Sequence, residues 1–204
     1  MTMDPDMRDL VMMVCFSLAS AIIVVGYVGY PAWMILKAGN RREPQWPPVR
    51  PTRSVSVVMS VFDEERRVAE KLLELQHLLA GLPVATEIVL IDDGSTDGTA
   101  AEAKRVATER TKIVSLDRNA GKANALNHGV ELAHGEILVL ADVRQRWTVE
   151  TLHRLLDPFA DPEVGAVGGA LQFDRDDQGN GVGLYWRIES ALRKAEAATH
   201  SSIG

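Results

Sequence analysis

The chain has 204 residues, a net charge of −6, 46% hydrophobic residues and a single cysteine. That length holds one domain plus an anchor. The acidic balance excludes a nucleic-acid partner held by phosphate contacts, and one cysteine excludes a disulfide framework or a cysteine metal site.

Residues 1–9 form an amino-terminal tail. Leu10 to Leu36 then runs for 27 residues without a charge. As a helix it would extend roughly 40 Å, enough to cross a bilayer core of about 30 Å with tilt. Tyr27, Tyr30 and Trp33 lie near its carboxyl end, where aromatic residues favour the headgroup layer. A cleaved signal peptide would want a basic leader and a shorter apolar core, whereas Asp4, Asp6 and Asp9 precede this one. A retained transmembrane helix is therefore expected. Lys37, Arg41, Arg42, Arg50 and Arg53 follow it and only Arg8 precedes it, which puts the soluble part in the cytoplasm, at the inner (plasma) membrane. The same basic cluster suits anionic lipid headgroups. Residues 37–53 read as a basic linker stiffened by Pro44, Pro47, Pro48 and Pro51.

The soluble domain is expected over residues 54–204. Ser54 to Val61 reads as a buried strand, and Asp63-Glu64-Glu65 opens a helix with Val68, Leu72, Leu75 and Leu79 at helical spacing. Gly81 and Pro83 end that helix. Strand Glu87 to Ile91, a helix near Asp97 to Arg110 and a short strand Lys112 to Leu116 follow. A helix near Lys122 to His134 is expected to be capped by Gly135. Strand Glu136 to Ala141, a helix near Val149 to Phe159, a strand over Val164 to Leu171 and a helix over Val182 to Ser201 complete the pass. Strands alternating with helices imply an α/β fold with a mainly parallel sheet covered on both faces. Gly165-Ala166-Val167-Gly168-Gly169 would let a strand approach other backbone or substrate.

The most informative stretch is Asp92-Asp93-Gly94-Ser95-Thr96-Asp97-Gly98-Thr99, directly after the strand at Glu87 to Ile91. Two carboxylates at the carboxyl end of a strand sit where open α/β sheets bind ligands, and the small residues after them let the backbone pass close to one. Helix capping would place the same residue types there. Lys122 is the odd residue, because a cation in the first turn of a helix opposes the macrodipole. A diphosphate at that helix start, with Gly121 allowing close approach, would account for it. The histidines His77, His128, His134 and His153 have no metal-ligand spacing.

The segments DDGSTDGT, Gly121-Lys122-Ala123-Asn124-Ala125-Leu126-Asn127-His128-Gly129 and Ala141-Asp142-Val143-Arg144, in this order and spacing, resemble the inverting family 2 glycosyltransferases of GT-A fold. The resemblance runs from about Ser54 to the last residue. It implies a UDP-sugar donor, a glycan or lipid acceptor and inversion at the anomeric carbon for a hexose or N-acetylhexosamine. It further implies nucleotide contacts from Ser60, Asp63, Glu65, Asp92, Asp93 and Lys122, with Asp93 taking the uracil N3–H and Asp92 supporting the loop. Asp63 stands where the family usually has Asn. Asp142 matches the first carboxylate of the family's DXD motif, which holds a divalent cation, Mg²⁺ or Mn²⁺, on the donor phosphates. The second acidic place is Arg144, which cannot ligate a metal. Either Asp142 holds the ion with phosphates and water, or Arg144 forks onto a phosphate in its place. Arg144 paired with Asp142 is a third arrangement.

Inversion at a hydroxyl acceptor needs a general base, which the family carries well after the DXD region, with a later Gln-x-x-Arg-Trp segment in processive members. No Asp or Glu follows Glu196. The general base is therefore expected beyond Gly204, with this chain as the donor-binding half of a longer enzyme. A non-catalytic, membrane-tethered nucleotide-sugar-binding subunit is an alternative. A nicotinamide-dependent oxidoreductase is another, but Phe62-Asp63-Glu64-Glu65 stands where its Gly-x-Gly-x-x-Gly turn would be.

Overall fold

The computed structural model describes residues 4–39, 52–169 and 182–198. They divide into two compact units, Trp46–Gly168 and Met1–Gln45 with Gly169–Gly204.

In the first of these, four apolar runs form one sheet: β1 (Val55–Val61), β2 (Thr86–Asp92), β3 (Thr111–Ser115) and β4 (Ile137–Ala141). All three pairings are parallel and the spatial order is β3-β2-β1-β4. Parallel strands need crossover helices, which here are α3 (Glu65–Ala80), α4 (Thr99–Val106) and α5 (Lys122–Leu132), with α6 (Val149–Leu156) after β4. The alternation along β1 sends Val55, Val57, Met59 and Val61 to one face, against Val68, Leu72, Leu75 and Leu79 of α3, Ala103 of α4 and Leu152 and Leu156 of α6. Val58, Val89 and Ile91 face the other way, against Ala125 of α5. Both faces are covered, as strand–helix alternation implies, although Leu138 and Leu140 of the edge strand β4 stay exposed.

Chain order reverses beside β1: the path leaves β1 toward β2 and β3, then returns to β4 on the opposite side. The crevice outside the carboxyl ends of β1 and β4 is thus the switch point where such sheets bind ligands.

Three expectations are corrected. Residues 164–169 form no strand, and Gly165 and Gly168 have open space around them; residues 170 and 171 lie outside the described part. Gly135 does not cap α5. The helix ends at Leu132 with Ala133 extended, and Gly135 lies so close to Ser56 that a Cβ would meet its side-chain oxygen at 2.6 Å. Its N–H donates to Ser56 Oγ at 2.7 Å. α4 stops at Val106, well short of Arg110.

In the other unit, α1 (Pro5–Val24), a π-helical turn (Val25–Gly29) and α2 (Tyr30–Ala38) follow without a break. The Tyr30 N–H reaches back to the Val25 carbonyl, five residues away. Pro31, which has no N–H and crowds the preceding turn, follows directly, and the wider turn absorbs it. Over Asp6–Ala38 this helix is long and apolar enough to cross a membrane. Lys37 Nζ sits 5.0 Å from the Trp33 ring. α7 (Val182–Ala198) packs on α2: Met34, Ala38 and Ala195 are buried together beside Leu192, and Tyr30 Oη donates to Glu196 Oε1 at 2.8 Å. Ile188 of α7 is 48% exposed.

Candidate donor-binding site

Each strand of the sheet delivers its motif to the same end. At the tip of β1, where Ser60 is half-buried, Asp63 takes a positive φ of 50°. Asp and Asn tolerate that conformation better than other side-chain-bearing residues. Its N–H donates to Ser95 Oγ at 3.0 Å, and its Oδ1 accepts from the Thr96 N–H at 2.9 Å. An acceptor-only side chain suffices here, because the partners on the next loop supply the hydrogens. Glu65 is tied to that loop as well, its N–H on Asp97 Oδ2 and its Oε2 under the Gly98 N–H.

The two carboxylates at the carboxyl end of β2, Asp92 and Asp93, are both 3% exposed. Asp92 Oδ1 accepts from the Ser95 N–H at 3.1 Å, closing the turn. Asp93 reaches the other way: its oxygens accept from the backbone N–H groups of Ala120 and Gly121 at 2.8 and 2.9 Å. It thereby fixes the start of α5, where Gly121 has φ 89° and Lys122 follows. Lys122 Nζ meets Asp142 Oδ2 at 2.7 Å. Asp93, Lys122 and Asp142 are thus joined through one chain of contacts. Burial pushes the Asp142 carboxyl up, but the Lys122 hydrogen bond, the Arg144 N–H and the charges of both residues outweigh it, leaving it below its ordinary value.

Arg144 does not form an ion pair with Asp142. Its backbone N–H donates to Asp142 Oδ1 at 2.9 Å, while Nε and Nη2 both lie 2.6 Å from Glu64 Oε1. Arg67 Nη1 takes the other oxygen of Glu64 at 3.0 Å. Glu64 is 6% exposed, so an unpaired charge there would be costly. The pair spans the switch point between the loops after β1 and β4.

Two residues of this network, Glu64 as an ion-pair anchor and Lys71, escape a motif-based reading. The Lys71 side chain is 2% exposed; Nζ donates to the Gln145 carbonyl at 2.7 Å and lies 4.9 Å from the Trp147 ring. It pins the loop after β4 to α3. Its one available signal is helical spacing, three residues after Val68 on the buried stripe.

The donor set for a divalent cation is thin. Asp142 offers one carboxylate already shared between Lys122 and a backbone N–H, and among the described residues no three His, Cys, Asp or Glu side chains gather to hold an ion. The described residues build no resident metal centre. An ion arriving with donor phosphates would find Asp142 as a single protein carboxylate, a mode Mg²⁺ tolerates. A recess of about 250 Å³ lined by Gln76, Leu79 and Thr111 lies at the opposite, amino end of β2 and β3 and takes no part in the site.

Known proteins resemble this chain in sequence and in fold. An undecaprenyl-phosphate 4-deoxy-4-formamido-L-arabinose transferase from Pseudomonas aeruginosa is 34% identical over 131 residues, 62% of this chain and 38% of that protein. A dodecaprenyl-phosphate galacturonate synthase from Rhizobium johnstonii is 31% identical over 91 residues, 43% of this chain and 27% of that protein. The chain therefore spans well under half the length of these curated relatives. Among solved structures, the mannosyltransferase PcManGT from Pyrobaculum calidifontis, in complex with GDP-Man and Mn²⁺, superposes with a TM-score of 0.65 at 28% identity, covering 87% of this chain and 50% of that one. The parallel sheet with its flanking helices is a GT-A-like fold. Residues 56–200 match the sequence pattern of Glycosyl transferase family 2, and with 145 of the 204 residues inside that match, the chain belongs to this family.

Proposed function

We propose that this chain supplies the nucleotide-sugar site of a membrane-anchored glycosyltransferase that moves a hexose or N-acetylhexosamine from UDP to a lipid-phosphate or glycan acceptor with inversion. The observation that carries the reading is the 2.7 Å Lys122–Asp142 pair at the switch-point end of the sheet, held there by Asp93. A cation at the start of α5, next to a glycine with positive φ, suits a diphosphate bridging the helix terminus and the β4 tip. Asp92 and Asp63 keep the intervening loop shaped for the nucleoside, and a uracil N3–H would meet the remaining lone pairs of Asp93. Asp142 is the residue that would hold a divalent cation, Mg²⁺ or Mn²⁺, where one arrives with the donor, and the ion would there neutralise diphosphate charge.

The polyprenyl-phosphate relatives favour a lipid-phosphate acceptor for this chain too. Chemistry makes that acceptor economical. A phosphate oxygen is anionic near neutral pH, so its attack on the anomeric carbon, as the bond from that carbon to the diphosphate breaks, needs no carboxylate to remove a proton. A hydroxyl acceptor does need one. The apolar helix and its basic flank would hold the domain on the cytoplasmic face, within reach of such a lipid.

Calorimetric titration of UDP into the detergent-solubilised chain tests the donor site. Lys122→Ala is expected to weaken UDP by roughly tenfold or more, the loss of one charge-assisted phosphate contact. No heat with UDP and none with GDP would remove the reading. Turnover of radiolabelled UDP-sugar by the full-length protein, offered polyprenyl phosphate or glycan, separates the acceptors and distinguishes an enzyme from a binding subunit.

A further inference from the structure

We propose that Arg144 is a diphosphate ligand which, with Lys122, lets this site hold the donor nucleotide without a divalent cation. The inference rests on the donor-site reading above and deepens it.

Five carboxylates around the switch point each already have a hydrogen-bond donor. Asp63 has Thr96, Asp92 has Ser95, Asp93 has Ala120 and Gly121, Asp142 has Lys122 and the Arg144 N–H, and Glu64 has Arg67 and Arg144. A metal ion would have to displace the Lys122 ammonium to reach its one carboxylate. The cations, by contrast, keep donors to spare. The Arg144 side chain is 69% exposed and both of its contacts to Glu64 fall on one oxygen through Nε and Nη2. Nη1 and the second hydrogen of Nη2 form a free edge, the fork that matches two phosphate oxygens. Lys122, 61% exposed along its side chain, uses one of three protons on Asp142.

Arg144 is also pre-positioned. Glu64, almost buried, holds the guanidinium from below, and Lys71 fixes the carbonyl of the next residue, Gln145. An arginine kept only to neutralise Glu64 would duplicate Arg67, which already pairs with that carboxylate. Placing the second guanidinium two residues after Asp142 puts positive charge where the family pattern places metal-binding negative charge.

The test is calorimetric titration of UDP into the full chain, in EDTA and in Mn²⁺, with melting curves for every variant. Wild type is expected to bind UDP in EDTA within about fivefold of its affinity in Mn²⁺, and Arg144→Gln to lose roughly tenfold or more in EDTA. Arg144→Asp, which restores the acidic place, is expected to bind UDP only when Mn²⁺ is present. UDP binding by wild type that vanishes in EDTA and returns with Mn²⁺ overturns the inference while leaving the donor site standing. Unchanged UDP affinity of Arg144→Gln with a lowered melting temperature also overturns it, leaving Arg144 a counter-ion for Glu64. If Arg144→Gln does not fold, Arg144→Lys decides, since it keeps the charge without the fork: about fivefold weaker UDP supports the proposal and unchanged affinity sinks it. Absence of UDP and GDP binding in both media overturns the donor reading itself and this inference with it.

Discussion

Asp93 fixes the start of α5 through two backbone contacts. Both oxygens accept backbone N–H groups in a nearly solvent-free position, so Asp93→Ala leaves two donors unpaired. We expect a loss of about 2 kcal/mol or more in stability, read from melting curves, and at least tenfold weaker UDP, because the start of α5 moves with it. Gly94 is equally constrained: its φ is 70°, and a Cβ would overlap the Arg118 carbonyl carbon and sit 2.6 Å from Asn119 N. Gly94→Ala is expected to cost more than about 2 kcal/mol, since backbone rather than a flexible side chain must yield. Asp142 contributes one pH dependence. Its carboxyl is held below the ordinary value, so the pair with Lys122 contributes at neutral pH and is lost only as pH falls through that lowered value. The melting difference between wild type and Asp142→Asn should stay constant from about pH 6 to 8 and shrink below about pH 4; partial exposure keeps it under about 1 kcal/mol.

Elements meet through small residues and short polar ties. α5 approaches β1 so closely that a Cβ on Gly129 would overlap Val58 Cγ1 and lie 3.3 Å from Ile91 Cγ1. Gly129→Ala should therefore push α5 outward and destabilise by about 1–3 kcal/mol, and should weaken UDP by displacing Lys122 at the other end of the same helix. At the amino ends of the strands, Glu87 binds Ser56 Oγ at 2.5 Å and the His134 N–H at 2.6 Å, joining β1, β2 and the α5–β4 connection. Burial raises this carboxyl, and the bonds from Ser56 and His134 bring it net below its ordinary value. The contribution is present at neutral pH and lost on acidification, so Glu87→Gln should lower the melting temperature at pH 7 and differ less from wild type below pH 4.

At the scale of the molecule, the helix over Asp6–Ala38 is long and apolar enough to cross a membrane. An arginine at its centre costs about 3 kcal/mol of insertion, so Ile22→Arg should shift the chain from the membrane fraction to the soluble or degraded one. On our reading, protease added to inverted vesicles digests the unit Trp46–Gly168 and protease added outside intact spheroplasts spares it; the reverse pattern would place that unit on the other face.

Composition and periodicity already contained the long apolar helix, the four parallel strands and the helices between them, because buried strands and amphipathic helices leave apolar spacing; the same kind of run over Val164 to Leu171 misled, since residues 164–169 form no strand. The motifs at Asp92, Lys122 and Asp142 were legible because each follows a strand and must emerge at its carboxyl end. Tertiary structure decided which groups meet. Nothing in the order of residues pairs Arg144 with Glu64, 80 positions away, or buries Lys71 beneath the loop after β4, since those contacts depend on β4 returning to the far side of β1. Gly135 misleads for a related reason: its value lies in close approach to Ser56 on another strand, and local spacing cannot register a neighbour that only the folded sheet supplies.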